Sequence, residues 1–405
     1  LRGLGAHIQV LRLPNARPLI FGEIRGRSAR SVLFYQHYDV QPSGPTSAWR
    51  SDPFHLFREG DYLFGRGIAD NKGNLAARLA AIRVLLDAEG ELPITVRFLI
   101  EGEEEIGSPY LPAYLRDYDH LLRADACIWE GGYRDAEDRF VITLGIKGMC
   151  DLELRATGPQ RDLHGKYAPL TINPATQLAA AISEMLRPDG HVAIPGYYDA
   201  VIDITAQDRV WLAAAAPDPI RLRDEIGLGS MPFSDGLDAI ERLVFLSTGT
   251  VSGFSSGAVG VQARSIVPAE AVANVSFRLV PNQTPEAIHE MVKRFLIERR
   301  FEGIEVTLRG GVLPARTRSD DPLVVAAVSA VEAISGERPV VWPMSPGSGP
   351  MSLVCHSRGI PAITLGVGHA GSNTHAPDEN IRLSDYRLGI HIMAELLRTL
   401  GPNSA

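Results

Sequence analysis

The run LIEGEEEIGS, Leu99 to Ser108, sets Glu103, Glu104 and Glu105 directly behind an apolar stretch. On an open surface such a run is a solvated charged face, but at the end of a buried segment at least one carboxylate must point at a cation. His37 and Asp39 in QHYD stand two apart and so share a face of an extended strand. A carboxylate in that position is the usual acceptor for the second ring N–H of a metal-bound imidazole. Asp70 lies in the glycine-rich LFGRGIADNKG, where an aspartate can equally shape a turn or cap a helix. Glu130 ends the apolar CIWEGG, and His375 falls in the polar loop GSNTHAPDEN. Singly, each has an ordinary structural explanation. Together they are two imidazoles and several carboxylates at the ends of separate segments, the ligand mix expected of a pair of zinc-like ions. His7, His55, His120, His191, His289, His356 and His391 lack such company and read as structural or exposed.

Gathering these groups requires a particular scaffold. RSVLFYQHYDV from Arg30 and LPITVRFLIEGEEE from Leu92 are apolar strands ending in polar residues, and ADACIWEGG from Ala124 is a third. Between the first two, NKGNLAARLAAIRVLLDAEGE has helical spacing and is closed by Gly90. Strand and helix in alternation predict an α/β layer on a mostly parallel sheet flanked by helices. Ligands of such sheets sit beyond the carboxyl ends of the strands, where His37, Asp39, Glu104, Glu105 and Glu130 all fall.

Near Gly145 the character changes. MCDLELRA, EAVANVSFRLV and IEVTLRG alternate as strands, and amphipathic helices are predicted near 176–186 and 285–300. After Val312, DPLVVAAVSAVEAIS and GIPAITLGVG return to helix and apolar strand. The expected organisation is a catalytic domain in two parts, 1–145 and 313–405, with an α+β domain inserted over 146–312. A chain of 405 residues also exceeds the size at which one core keeps growing.

Composition narrows the partners. Hydrophobic residues at 45% and charged residues at 22% describe an ordinary globular protein. No apolar stretch approaches the roughly 20 residues of a membrane helix, and a net charge of -8 without a long basic block argues against nucleic acid. Cys127, Cys150 and Cys355 are widely spaced and odd in number, as expected of reduced thiols in the cytoplasm. Leu1 opens the chain without the basic-then-apolar pattern of a signal peptide.

In order along the chain, HYD, GRGIADNKG, EGEEEIGS, the strand-end Glu130 and NTHAPDE resemble the motifs of the zinc metallopeptidase family that includes glutamate carboxypeptidase, carnosine dipeptidase, acetylornithine deacetylase and succinyl-diaminopimelate desuccinylase. The likeness extends through the insertion: RDLHGKYAP looks like the family's RDLHSG segment, SIVPAEAVANVSFRLVPNQTPE like its lid arginine segment, and PGSGPMSL like its GGSIP loop.

The resemblance implies a ferredoxin-like lid that also forms a homodimer, and two divalent ions, Zn2+ foremost, with Co2+ or Mn2+ able to fill the same set. Asp70 would bridge the ions, with His37 and Glu130 completing one site and Glu105 and His375 the other. Asp39 would orient His37, and Glu104 would be the general base toward a water between ions about 3.5–4 Å apart. His164 would reach a neighbouring subunit's site as an oxyanion donor. Arg278, with backbone N–H groups of Gly347, Ser348 and Gly349, would clamp a substrate carboxylate.

Some departures bear on the branch. Gly165 stands where serine is usual, and Tyr167 and Ala168 replace a pair of small residues. Glu130 is the ligand type of the carboxypeptidase and desuccinylase branches. The longer insertion with GTVSGFSSG, and Ser265 where the deacylases tend to have asparagine, look like the dipeptidase branch. The expected activity is therefore hydrolysis of dipeptides or of a C-terminal residue, with N-acyl amino-acid deacylation as the alternative at the same site. A silent relative that only binds metal would have lost Glu104 or a ligand, and all are present.

Overall fold

The computed structural model describes residues 1–401. Its larger sheet has eight strands in the spatial order His7–Leu11, Leu19–Ile24, Leu92–Glu101, Gly26–His37, Ala126–Trp129, Ala362–Thr364, Val141–Thr143 and Val340–Trp342. The central strands pair in parallel, and the first two are antiparallel additions at one edge. The protein is thus α/β with a mostly parallel sheet. The last seven residues of Gly26–His37 are all buried, as is nearly the whole of Leu92–Glu101. Strands covered on both faces need such continuous apolar runs.

The predicted helix is Gly73–Glu89, and it stops where Gly90 adopts φ 79°, a left-handed cap that glycine reaches without strain. Its buried face, Ala81, Ile82 and Leu85, packs with Leu323, Ala327 and Val331 of Pro322–Ser335 and Leu396 and Leu397 of Leu383–Leu400 against the sheet. Each such aliphatic side chain taken from water stabilises the fold by roughly 1.5–3 kcal/mol. Arg78 on the same helix is also fully buried; its guanidinium donates to the carbonyls of Trp129 (2.6 Å) and Tyr35 (3.3 Å). Trp129 ends its strand and Tyr35 lies two residues before the end of its own, so the buried cation adds a donor close to the edge that carries the polar residues.

The second sheet lies between Gly145 and Val312. Its strands run in the order Thr248–Ser255, Glu270–Leu279, Gly145–Thr157, Ile304–Val312, all antiparallel, with helices Pro174–Met185 and Pro285–Glu298 packed on it. The chain order is β-α-β-β-α-β, that of a split βαβ unit. Both helices fall within a few residues of their expected bounds.

The stretch between Met185 and Thr248 links the first helix of this unit to its edge strand. It forms three further helices, Ala206–Ala215, Pro219–Glu225 and Gly236–Phe245. Leu212, Ala215, Ile240, Val244 and Phe245 pack on Val141, Val340 and Met344 at the edge of the larger sheet. That segment is therefore joined by side chains to the layer from which it is separated in sequence. Among the described residues no helix is long and apolar enough to cross a membrane.

Candidate metal centre

The site is built where strands stop being apolar. His37 is the last residue of Gly26–His37, the glutamate run follows Leu92–Glu101, and Glu130 follows Ala126–Trp129. Parallel neighbours end level with one another, so three sequence-distant polar groups meet at one edge. Asp70 enters from the turn that precedes the 73–89 helix, and His375 from the loop before Asn380–Arg382.

Two triads result, and they share Asp70. In one, His37 Nε2 lies 2.8 Å from Asp70 Oδ1 and 3.1 Å from Glu130 Oε2. In the other, His375 Nε2 lies 3.1 Å from Asp70 Oδ2 and 3.2 Å from Glu105 Oε2. The ligand atoms of each triad fall within 4.8 Å of one another. The two oxygens of a single carboxylate are thus divided between two imidazoles. Ligands held about 2.0–2.2 Å from one ion stand about 3 Å apart, so the spacing suits a divalent ion in each triad. The donor set, nitrogen and oxygen without sulfur, suits zinc, cobalt or manganese.

Electrostatics point the same way. Asp39, Asp70, Glu104, Glu105 and Glu130 crowd around two imidazoles, with the Lys72 ammonium beside Asp39 and Glu105. Burial first, then the charge of Glu130, pushes the Glu104 carboxyl up to about 9, and burial likewise raises Glu105. For Asp70 burial acts upward too, but the hydrogen bond and charge of His37 outweigh it and hold the group below its ordinary range. Burial would lower His37, yet its hydrogen bonds to Asp39, Asp70 and Glu130 raise it well above its usual value. Glu105 Oε1 is buried without a hydrogen-bond partner. Buried carboxylate oxygens without donors are costly, and cations relieve both the desolvation and the mutual repulsion.

Asp39 does more than its spacing suggested. Its Oδ1 is 3.4 Å from His37 Nδ1, and its Oδ2 accepts from the Glu105 N–H at 3.0 Å, so it touches a ligand of each triad. Gln41, not singled out from sequence, donates to Glu105 Oε2 at 2.8 Å. The spacing of two that relates 37 to 39 continues to 41 and was the available signal. Glu101 was missed too: it is buried, raised to about 7 by burial, and accepts from Ser108 Oγ (2.9 Å) and Tyr35 Oη, tying down the turn that carries Glu104 and Glu105.

The remaining expected residues lie on the second sheet or beside it. Arg278 Nη1 donates to Ser348 Oγ at 2.6 Å, which sets its side chain against the 347–349 loop. The Gly347 N–H donates to Ser345 Oγ at 3.3 Å, and Gly349 packs near Ile146. His164 ends the two-residue strand Leu163–His164, exposed, with Nδ1 accepting from the Lys166 N–H at 3.2 Å.

An α/β sheet whose strand ends gather two carboxylate-sharing triads defines a hydrolase-type dinuclear metal centre as the class to look for. Residues 33–399 match the sequence model of peptidase family M20/M25/M40, and the chain belongs to that family. The Cys-Gly metallodipeptidase dug1 of Schizosaccharomyces pombe is 28% identical over 281 residues, covering 68% of this chain and 59% of the relative. The human Beta-Ala-His dipeptidase is 25% identical over 337 residues, covering 80% of this chain and 65% of the relative. The chain thus spans somewhat under two thirds of these two proteins. Among solved structures, the M20 family metallo-carboxypeptidase Sso-CP2 from Sulfolobus solfataricus superposes with a TM-score of 0.88 at 37% identity, covering 98% of this chain and 91% of that one.

Proposed function

We propose that the protein is a dinuclear metal-dependent exopeptidase that hydrolyses dipeptides or removes C-terminal residues. The observation that carries this reading is Asp70, whose two oxygens face His37 and His375 at 2.8 and 3.1 Å. Names of the similar proteins, metallodipeptidases and a metallo-carboxypeptidase, support the same class.

Two divalent cations in these triads supply Lewis acidity toward the scissile carbonyl and lower the pKa of water. His37 and Glu130 would hold one, Glu105 and His375 the other, with Asp70 between. Glu104, raised to about 9 by burial and by Glu130, ionises at neutral pH only where positive charge is set beside it. It then accepts a proton from the attacking water and passes it to the leaving amine nitrogen, so that one water is consumed and the C–N bond is replaced by a carboxylate and an amine. Asp39 fixes the imidazole of His37 and the Glu105 backbone. Arg278 and Ser348 bind the free carboxylate of the substrate, which excludes internal peptide bonds.

The 146–312 segment is assigned as lid and dimerisation domain. Val251 and Phe254 are exposed on its edge strand, near exposed Val259 and Val261 in sequence, and Leu170 and Ile172 follow His164. Apolar residues on an unpaired edge favour a second copy as their cover. In that arrangement His164 would serve the partner's site as oxyanion donor.

The test is amino-acid release from a panel of dipeptides and N-acyl amino acids, with wild type and Glu104→Gln compared at measured metal content. Free amino acids from dipeptides in wild type alone, with two metals in both proteins, support the reading. Release of acetate or succinate instead moves it to the deacylases, and no turnover at full loading overturns it.

A further inference from the structure

One buried charged pair has no part in the chemistry so far, and it lies directly behind the shared ligand. The side chains of Arg66 and Glu379 are 2% and 1% exposed and 2.7 Å apart. Removing two charges from water is expensive unless geometry and further hydrogen bonds compensate. Here Glu379 Oε1 accepts from the backbone N–H groups of Ala69 (2.8 Å) and Asp70 (2.9 Å). Its Oε2 accepts from Arg66 Nη1 (2.7 Å) and the Gly67 N–H (2.8 Å). All of these donors lie on one turn, more than 300 residues away in sequence. The backbone of Glu379 is engaged as well, its carbonyl accepting from the Gly65 N–H at 3.0 Å.

Each bond constrains the turn from which Asp70 projects. Gly67 stands at φ 83°, and a Cβ there would come within 2.4 Å of Val40 Cγ1, so the turn has no room to relax toward the strand loop. Arg66 is held in its turn over the Trp49 ring at 5.1 Å, with Nη2 donating to the Pro42 carbonyl at 3.3 Å. Glu379 also sits four residues after His375, on the same loop. One carboxylate therefore joins the loop of His375 to the turn of Asp70, and these two residues face each other across the second triad. A charged acceptor binding three N–H groups and a guanidinium is stronger than a neutral one in the same place.

We infer that Glu379 is a positioning residue: its buried carboxylate sets the Asp70 turn against the His375 loop and so holds the shared ligand at the spacing both cation sites require. The inference rests on the metal centre proposed above, though not on any particular substrate. Residues that orient metal ligands commonly cost 10–100-fold in metal affinity when changed. Glu379→Gln keeps the shape of the side chain but turns an NH2 group toward an existing donor.

The experiment is Co2+ titration of the metal-free protein, followed by the visible absorption of the bound ion, alongside hydrogen exchange of the Gly67, Ala69 and Asp70 amides. Glu379→Gln is expected to bind Co2+ 10–100-fold more weakly and to exchange those three amides faster. Asp208→Asn serves as the control, because Asp208 is buried and bound by Arg316 and Ser319 without touching the turn. It is expected to lower the Tm while leaving Co2+ affinity within twofold. Equal affinity in Glu379→Gln and wild type, or an equal loss in Asp208→Asn, would overturn the inference. Should Glu379→Gln not fold, metal-free wild type decides: protection of the three amides supports a preset turn, and exchange at open-loop rates refutes it. Wild type that binds two Co2+ but cleaves nothing in the panel overturns the proposed activity and leaves Glu379 in its role.

Discussion

The two sheets treat charge in opposite ways. Around the strand ends of the larger sheet His37, Glu101, Arg66 and Glu379 are buried, each set against other polar groups. The second sheet alternates instead; from Gly148 to Ala156 the buried positions face the helices and the intervening ones are half-buried. Lys147 is its one buried lysine, donating to the Leu246 carbonyl at 2.7 Å. The first region concentrates unfavourable charge that only cations and a rigid frame make tolerable, and the second offers shape and surface.

Breaking the first region should have the largest effect. Asp70→Ala removes a ligand from both triads, so metal content by mass spectrometry should fall from about two toward zero and turnover below detection. Glu104→Gln touches no triad and should keep both metals while losing roughly 10²–10⁴-fold in kcat, the usual contribution of a general base. A metal loss in that variant would show that Glu104 is itself a ligand. On the second sheet, Arg278→Met should raise KM roughly 10–100-fold with kcat little changed, as for a lost hydrogen bond to a charged group. Phe254→Asp should convert a dimer into a monomer in sedimentation velocity, with activity falling along with it if His164 acts across the interface.

The smallest effect concerns Lys147. Burial first, and Arg278 second, lower it to about 8 from an ordinary 10.5. Below about pH 8 both folded and unfolded states carry the proton, and the burial penalty is fully present. Between about 8 and 10.5 the unfolded state binds more protons, so this group makes stability rise with pH, by an amount on the order of 2–3 kcal/mol. The denaturant midpoint of wild type should rise relative to that of Lys147→Met across that range. Parallel curves would place the ammonium in a wetter environment.

Legibility in sequence follows the same division. His37, the glutamate run and Glu130 could be read because each ends an apolar run, and parallel strands ending level bring such residues together. The 174–185 and 285–298 helices were readable from amphipathic spacing. Glu379 was not: its partners are backbone N–H groups some 310 residues earlier, and a backbone donor leaves no mark on residue type. The 206–215 and 236–245 helices went unread for another reason. Leu212, Ala215, Ile240 and Val244 are apolar at helical spacing, yet nothing in that pattern names Val340 and Met344 as their cover.

That last contact has a mechanical consequence. The chain crosses between the two sheets twice, near Gly145 and near Arg316, and those crossings pair with each other. Two adjacent strands alone would behave as a free hinge. The patch of Val244 and Phe245 on Val340 and Met344 adds a detent: close-packed side chains slide between discrete arrangements rather than yielding continuously. Any change in the angle between the two sheets would have to repack this patch of nine buried apolar side chains, which therefore holds the resting angle.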